Sequence, residues 1–467
     1  MVFFVCFVDL DFPDLEPWTM LDCTVIVFGA SGDLAKKKTF PSLANLFQFK
    51  LIPPQFKIIG YARSNLTQSE FKTQISNDIN VPKDEFLNHC EYFQGEYSDS
   101  DFDRLAKNQA KQTICYLALP PNVFIPVCKL IHKHFKKDLK LIVEKPFGRD
   151  SDSSQQLSSA LSAMFSEKQI YRIDHYLGKE MVKNLFVLRF ANTFFRSIWN
   201  AENISTVQIT FKEPIGVEGR AAYFDKYGIV RDVMQNHLIQ VMSLVAMEEP
   251  SSQSPEAIRD AKVKVLESTK QLSPEDCIFG QYKGYLNDPQ VPSDSHTPTF
   301  AIATFSIENE RWKGVPFILK CGKALNERKA EIRIQFKQVP MFKEAAQNEL
   351  VIRLQPKEAV YMKFVNKKPG LGNELITSEL DLSYHTRYSD IRIPDAYESL
   401  IYDVLNGDQS SFVRSDELTA AWRIFDNILE NGKPVEYERG TRGPEEMNEF
   451  VAALGYKRTT DYRWSSL

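Results

Sequence analysis

The texture of the chain changes near Arg172, and that change constrains the fold more than any single motif. Between Thr24 and that point, short apolar runs alternate with helical stretches: T-V-I-V-F, a helix after Gly32, F-K-I-I-G-Y, a helical region near Gln68 to Ile79, then I-C-Y-L-A-L and L-I-V-E. Apolar runs separated by helices predict buried parallel strands, an α/β domain. Beyond Arg172 strand follows strand, in T-V-Q-I-T-F, F-A-I-A-T-F-S-I, F-I-L-K-C-G, A-E-I-R-I-Q-F and L-V-I-R-L, with helices expected over Val230 to Met247 and Ala396 to Leu405. Strands in succession predict a larger α+β domain with a mainly antiparallel sheet. The expected division is therefore 1–22 as an extension that joins no periodic element, 23–172 as the first domain and 173–467 as the second; two domains suit a chain of 467 residues. S-D-S-S-Q-Q at 151–156 and P-S-S-Q-S-P at 250–255 read as helix starts or surface turns.

Composition narrows the functional classes. A net charge of −4 with 25% charged residues gives no bulk attraction to nucleic acid or anionic membrane, so any basic site must be local. The seven cysteines are odd in number, scattered and without a C-x-x-C pair, which favours reduced thiols and suggests no zinc site. The opening M-V-F-F-V-C-F-V lacks a basic lead and runs into acidic residues, unlike a secretion signal. No window approaches the roughly 18 to 20 apolar residues of a membrane span. These features predict a cytoplasmic protein without membrane or nucleic-acid partners.

V-I-V-F-G29-A-S-G32-D-L-A35 places two glycines and a small third residue where an apolar strand turns into a helix. Such a turn lets backbone N–H groups and a helix N-terminus hold a pyrophosphate, although a tight βα turn alone would also use it. The next strand ends in Arg63, where an NAD enzyme would carry a ribose-binding acid; a guanidinium there suits the 2′-phosphate of NADP, the alternative being an ordinary exposed arginine. Lys36, Lys37 and Lys38 read as a solvated helix face, and His132 and His134, two apart, make a poor metal pair. L-I-V-E-K145-P puts a lysine at the carboxyl end of a buried strand, where ligands of open α/β sheets collect; a surface turn is the bland alternative.

R172-I-D-H-Y-L-G-K179 packs a carboxylate, an imidazole, a phenol and an ammonium into six positions of a chain with seven histidines. The imidazole and lysine suit a phosphorylated substrate, and the carboxylate can orient a second histidine as a base. His237, in R-D-V-M-Q-N-H-L, sits where polar meets apolar on an expected helix. A histidine so placed is more often a satisfied core residue, but a carboxylate at Asp174 would fix its tautomer. Asp232 lies five residues before His237, about 140° around a helix at ~100° per residue, so the two are not expected to pair and Asp232 is better spent on a substrate hydroxyl. Glu213 follows a strand and could accept another hydroxyl, and Lys323 ends a strand in a basic turn; either could be structural.

G-A-S-G-D-L-A-K-K-K, E-K-P-F-G-R-D, R-I-D-H-Y-L-G-K-E, R-D-V-M-Q-N-H and G-K-A-L-N-E-R-K stand in the order found in the glucose-6-phosphate 1-dehydrogenase family, which the chain resembles from about residue 24 onward. The resemblance implies an N-terminal Rossmann-like domain and oxidation of D-glucose 6-phosphate at C1, with NADP⁺ as hydride acceptor. It implies His237 as base, oriented by Asp174; His175, Tyr176 and Lys179 on the substrate phosphate; and Lys145, Glu213, Asp232, Lys323 and Gln355 on the sugar phosphate. Gly29, Ala30, Ser31, Gly32, Asp33, Leu34, Ala35, Lys36, Arg63 and Lys145 match cofactor positions, and Phe124 stands where a cofactor-lining tyrosine is usual. A second, structural NADP is implied by Lys329, Arg333, Arg353, Tyr361, Lys363, Asp381, Arg442 and Trp464, although Arg458 replaces a frequent tyrosine there. A homodimer or homotetramer is implied as well. The chain is shorter than the family pattern around 77–90, 281–285 and 432–441. A sugar dehydrogenase of the glucose–fructose oxidoreductase type would not need the phosphate set, and a silent NADP-binding relative would not need a base.

Overall fold

The computed structural model describes residues 22–53, 55–135, 139–430 and 433–457. Residues 1–21 of the extension, Cys6 among them, and Arg458 and Trp464 lie outside these residues. The chain packs as two units, one containing the described residues up to Val143 with Val404–Asn406, the other Glu144–Asp403 with the described residues from Gly407 onward.

In the first unit, β1 (Cys23–Phe28), β2 (Phe56–Ala62), β3 (Cys90–Gln94), β4 (Gln112–Leu117) and β5 (Leu139–Glu144) run parallel in the order β3-β2-β1-β4-β5. Every residue of β1 and β4 is buried, as strands covered by helices on both faces must be. Between β2 and β3 the helix Gln68–Ser76 is started by a capping box, Thr67 accepting from Glu70 N–H while Glu70 accepts from Thr67 N–H. The expected elements of this region form, and β3 is added. Its C-E-Y-F-Q is partly exposed and carries Glu91 and Gln94, hence no continuous apolar run.

In the second unit, β6 (Ile170–Ile173) precedes nine strands: β7 (Ile204–Lys212), β8 (Cys277–Tyr282), β9 (Phe300–Phe305), β10 (Phe317–Gly322), β11 (Lys329–Phe336), β12 (Glu349–Gln355), β13 (Ala359–Lys367), β14 (Leu375–Ser383) and β15 (Val435–Tyr437). Their order is β14-β13-β12-β11-β7-β10-β9-β8-β15, antiparallel except for β7 with β10 and β8 with β15. On β7 the alternation separates two faces. Val207, Ile209 and Phe211 belong to the apolar core, whereas Gln208, Thr210 and Lys212 point to the opposite side. The segment Val230–Ala246 packs against β7 and β10. It was expected as one α-helix; it winds with i→i+5 bonds over Val230–Leu238 and as an α-helix only over Ile239–Ala246. The two serine-rich segments start helices Ser151–Ser162 and Pro255–Ser268, whose N-terminal N–H groups are capped by Asp150 and Ser254.

Candidate active site

The first unit supplies the dinucleotide turn. Gly29 follows β1 at φ 80°, and a Cβ there would lie 2.2 Å from the Ala118 carbonyl oxygen, so only glycine fits. Gly32 N–H closes the turn on the Gly29 carbonyl at 2.9 Å, and helical winding begins at Asp33. First-turn N–H groups have no partner inside their own helix, which is the requirement for holding a pyrophosphate. Ala30 and Ala35 are buried beneath the turn; Ser31 Oγ lies 2.8 Å from Ser64 Oγ, while Gly32 and Asp33 are exposed and Leu34 is half-buried. Asp33 pairs with Lys37 at 3.1 Å and Lys36 at 3.7 Å, and its carboxyl is held below the usual value chiefly by the Lys37 hydrogen bond. Arg63 is exposed one residue past β2. Phe124 is fully buried at the start of the helix Phe124–His134, so its ring presents no surface to a ligand in this structure.

The second unit carries the charged network. After β6 the chain turns through Asp174–Gly178 into the helix Glu180–Phe190. A Cβ at Gly178 would meet the Ala396 carbonyl oxygen at 2.3 Å, so glycine lets this turn pack against the helix Ala396–Asn406. Arg172 is structural: buried, it binds Glu167 at 2.5 Å and the Val413 carbonyl at 3.4 Å. Asp174 Oδ1 accepts the Tyr176 N–H at 2.9 Å and lies 2.5 Å from His237 Nδ1. Lys145 Nζ stands 3.1 Å from His237 Nε2 while donating to the Asp232 carbonyl at 2.9 Å, with Asp232 Oδ1 at 3.5 Å. Asp232 Oδ2 is 4.0 Å from Lys323 Nζ, which binds Glu213 at 2.6 Å. Gln355 Nε2 donates to the Tyr176 hydroxyl at 2.9 Å, the Tyr176 and His237 rings stack at 4.6 Å, His175 stands edge-on to His237 at 4.5 Å, and Lys179 Nζ lies 5.2 Å from the Tyr176 ring. The structure thus brings Lys145, Asp174, His175, Tyr176, Lys179, Glu213, Asp232, His237, Lys323 and Gln355 into one connected set.

One expectation about this set changes. Asp232 and His237 were placed on different sides of an α-helix, but i→i+5 winding stacks residues five apart, and both reach Lys145. They share a partner rather than a direct bond.

The contacts settle the state of His237. Ionised Asp174 can only accept, so Nδ1 carries the hydrogen; an ammonium can only donate, so Nε2 offers its lone pair to Lys145. The ring is the neutral base form. Burial pushes the His237 pKa down, Asp174 opposes and Lys145 adds to the lowering. Burial also works against the Asp174 anion, but its pairing with His237 and the Tyr176 N–H hold that carboxyl below its ordinary value. Burial, reinforced by His237, Lys145 and Lys179 and opposed by Asp174, takes His175 well below its ordinary value, so without an anion it is a neutral donor. Ligand atoms of Asp174, His175 and His237 lie close enough to hold a metal ion. The ammonium beside Nε2 makes that an unfavourable place for a second cation.

A second cavity, about 1370 Å³, lies on the polar face of the nine-stranded sheet. It gathers Lys329, Arg333, Arg353, Tyr361, Lys363, Asp381 and Arg442; of that expected set only Trp464 is outside the described residues. Register explains the gathering. Lys329 faces Lys212, Glu331 faces Thr210 and Arg333 faces Gln208 across β11 and β7, while Tyr361 faces Asp381 across β13 and β14. Acidic partners neutralise part of the charge: Lys212 binds Glu327 at 3.0 Å, Arg333 binds Glu331 at 2.8 Å, and Arg333 and Lys363 bind Glu349 at 2.9 and 2.8 Å. Lys212, Lys320 and Tyr456 also line the cavity and were missed from the sequence. The signal for the two lysines was a charge inside an otherwise apolar strand, I-T-F-K and F-I-L-K-C-G.

A sheet in Rossmann order with a glycine-only phosphate turn, in a chain that also holds a neutral imidazole between a carboxylate and an ammonium, defines a dinucleotide-dependent oxidoreductase. Residues 26–184 match the family model described as glucose-6-phosphate dehydrogenase, NAD binding domain, and residues 186–464 match that described as glucose-6-phosphate dehydrogenase, C-terminal domain. The chain belongs to the glucose-6-phosphate dehydrogenase family. It is 50% identical to the cytoplasmic isoform of glucose-6-phosphate 1-dehydrogenase from Solanum tuberosum over 94% of this chain and 93% of the relative. It is 49% identical to glucose-6-phosphate 1-dehydrogenase of Emericella nidulans, over 95% of this chain and 94% of the relative. A solved glucose-6-phosphate dehydrogenase in complex with its substrate glucose-6-phosphate superposes with a TM-score of 0.91 at 46% identity, covering 95% of this chain and all of that one.

Proposed function

We propose that this chain oxidises D-glucose 6-phosphate at C1 to 6-phospho-D-glucono-1,5-lactone with formation of NADPH, the entry step of the oxidative pentose phosphate pathway. The observation that carries the reading is the His237 tautomer held between Asp174 and Lys145. When bound, NADP⁺ supplies the acceptor for the hydride leaving C1. His237 Nε2 takes the C1 hydroxyl proton, and Asp174 stabilises the resulting imidazolium through Nδ1–H. Lys145 passes from the lone pair of His237 to the substrate, while Asp232, Glu213, Lys323 and Gln355 orient sugar hydroxyls. His175, Tyr176 and Lys179 hold the phosphate; its dianion supplies the negative charge that favours protonated His175.

The glycine turn from Gly29 to Lys36 suits a pyrophosphate, and exposed Arg63 suits a 2′-phosphate. We assign cofactor binding to residues 23–172 and substrate binding to 173–467. The cavity on the polar sheet face takes a second, structural NADP, whose phosphates would exchange with Glu327, Glu331 and Glu349 as partners of its cations. Among the described residues no helix is long and apolar enough to cross a membrane. A cytoplasmic homodimer or homotetramer completes the reading, supported by the naming of the potato relative as a cytoplasmic isoform.

Initial rates with glucose 6-phosphate and glucose, each with NADP⁺ and NAD⁺, test it. NADPH absorbance should rise fastest with the phosphorylated sugar and NADP⁺. Equal kcat/KM for the two sugars would overturn the phosphate assignment, and equal kcat/KM for the two cofactors would remove the role of Arg63.

A further inference from the structure

The Asp174 carboxylate uses one oxygen for both of its protein hydrogen bonds. Oδ1 accepts from Tyr176 N–H and His237 Nδ1–H, whereas Oδ2 is buried and takes no hydrogen bond among the described residues. Two further side-chain atoms, on the segment that carries His237, share that condition: Gln235 Nε2 and Gln240 Oε1, on residues 5% and 2% exposed. All three residues line one small cavity, whose apolar wall includes Val413, Leu418 and Ala421. Its room for the centre of a water-sized sphere is about 20 Å³, above the roughly 10–15 Å³ that one water needs. Two acceptors and one donor are what a single water satisfies, donating to Asp174 Oδ2 and Gln240 Oε1 while accepting from Gln235 Nε2.

We propose that a water seated in this cavity, held by Gln235 and Gln240, binds Asp174 Oδ2 and fixes the plane of the carboxylate that orients His237. Gln235 and Gln240 are then positioning residues, acting on the base through the water and Asp174. This deepens the assignment of His237 as base and rests on it. The donor on Oδ2 also offsets the burial of the anion. Without it the carboxylate would attract the proton on His237 more strongly and hold the imidazolium more tightly. Two residues on the helical segment that carries His237 therefore control its basicity from behind Asp174.

Two measurements on the full chain test the proposal separately from the base assignment. A crystal structure resolving ordered solvent should show one water within hydrogen-bond distance of Asp174 Oδ2, Gln235 and Gln240; a cavity without density would overturn the proposal whatever the activity of His237 variants. Gln235→Leu and Gln240→Met should each lower kcat about tenfold, as loss of an outer partner of an oriented histidine does. KM for glucose 6-phosphate should stay near the parent value, and the acid limb of kcat/KM should move to higher pH. A packing role would lower thermal stability and leave that limb in place, which would sink the proposal. Ala421→Val, filling the cavity without touching a polar atom, should reproduce the limb shift if the water carries the effect; an unmoved limb with the cavity filled counts against it.

Discussion

Lys212 and Glu213 are adjacent, yet they serve opposite faces of one sheet. Glu213 joins Lys323 and the network that ends at His237, whereas Lys212 joins Glu327 at the basic cavity. β10 repeats the division: Lys320 lines the cavity, and Lys323, beyond the end of the strand, belongs to the network. Strand alternation alone separates the two sites by a layer of backbone. Their chemistry differs accordingly. The network holds one lone pair, that of His237 Nε2, on Lys145, and on the proposed reading an incoming hydroxyl takes it over. The cavity spreads its cations across several strands and parks many of them on carboxylates. On the proposed reading one site moves a proton and the other exchanges ionic partners.

The most severe way to break the comparison is to remove the lone pair. His237→Asn should lower kcat/KM about 10²- to 10⁴-fold, the usual worth of a general base, while nicotinamide-dependent thermal stabilisation persists. Equal rates for variant and parent would show that another group takes the proton. The parent should lose kcat/KM only as pH falls through the depressed His237 pKa, below the ordinary value near 6.5. The same depression makes the unfolded chain bind that proton more readily, so this contribution to stability is present above the ordinary value and is lost as pH falls. An acid limb at or above the ordinary histidine value would contradict the tautomer described above.

A smaller effect should come from the phosphate side of the network. Lys179→Ala removes a cation without touching the His237 contacts and should cost about tenfold to a hundredfold in kcat/KM with glucose 6-phosphate. With unphosphorylated glucose the parent and variant should agree. A comparable loss with both sugars would mean that Lys179 supports the fold of the site rather than the phosphate.

The two faces were unequally legible in the sequence. The network was readable because its residues cluster in short words at strand ends and in one turn, where their chemistry is visible without knowing the pairing. What escaped was the winding of Val230–Leu238. Whether a helix closes i→i+4 or i→i+5 is decided by packing against β7 and β10, and so the angular relation of Asp232 to His237 could not be obtained from spacing. The cavity is scattered one or two residues per strand, and only register collects Lys212 opposite Lys329 and Tyr361 opposite Asp381. β14 is hidden in the sequence for a related reason. L-I-T-S-E-L-D-L-S is half exposed, with no apolar face strong enough to announce a strand. The resemblance supplied seven of the cavity residues but not Lys320, whose one mark in the sequence, a charge in an apolar run, was passed over.

Lys320 therefore gives the finest test of the cavity. Burial, with Lys212 adding to it, lowers its ammonium to about 7, so it is a cation held at a cost until an anion arrives. Lys320→Gln should raise the ligand-free melting temperature slightly. The sign follows from linkage: the unfolded chain keeps the proton up to the ordinary lysine range, so the penalty is full below about 7 and fades as pH rises toward roughly 10.4. The gain from the substitution should fade over the same window. With NADP⁺ the order reverses. Lys212 and Arg442 remain, so affinity for a second equivalent should fall about fivefold to tenfold, and the melting shift produced by NADP⁺ should shrink while kcat and KM for both substrates stay at parent values. A loss of kcat instead would mean that the backbone layer does not insulate the faces. An unchanged melting shift would mean that Lys320 holds no phosphate.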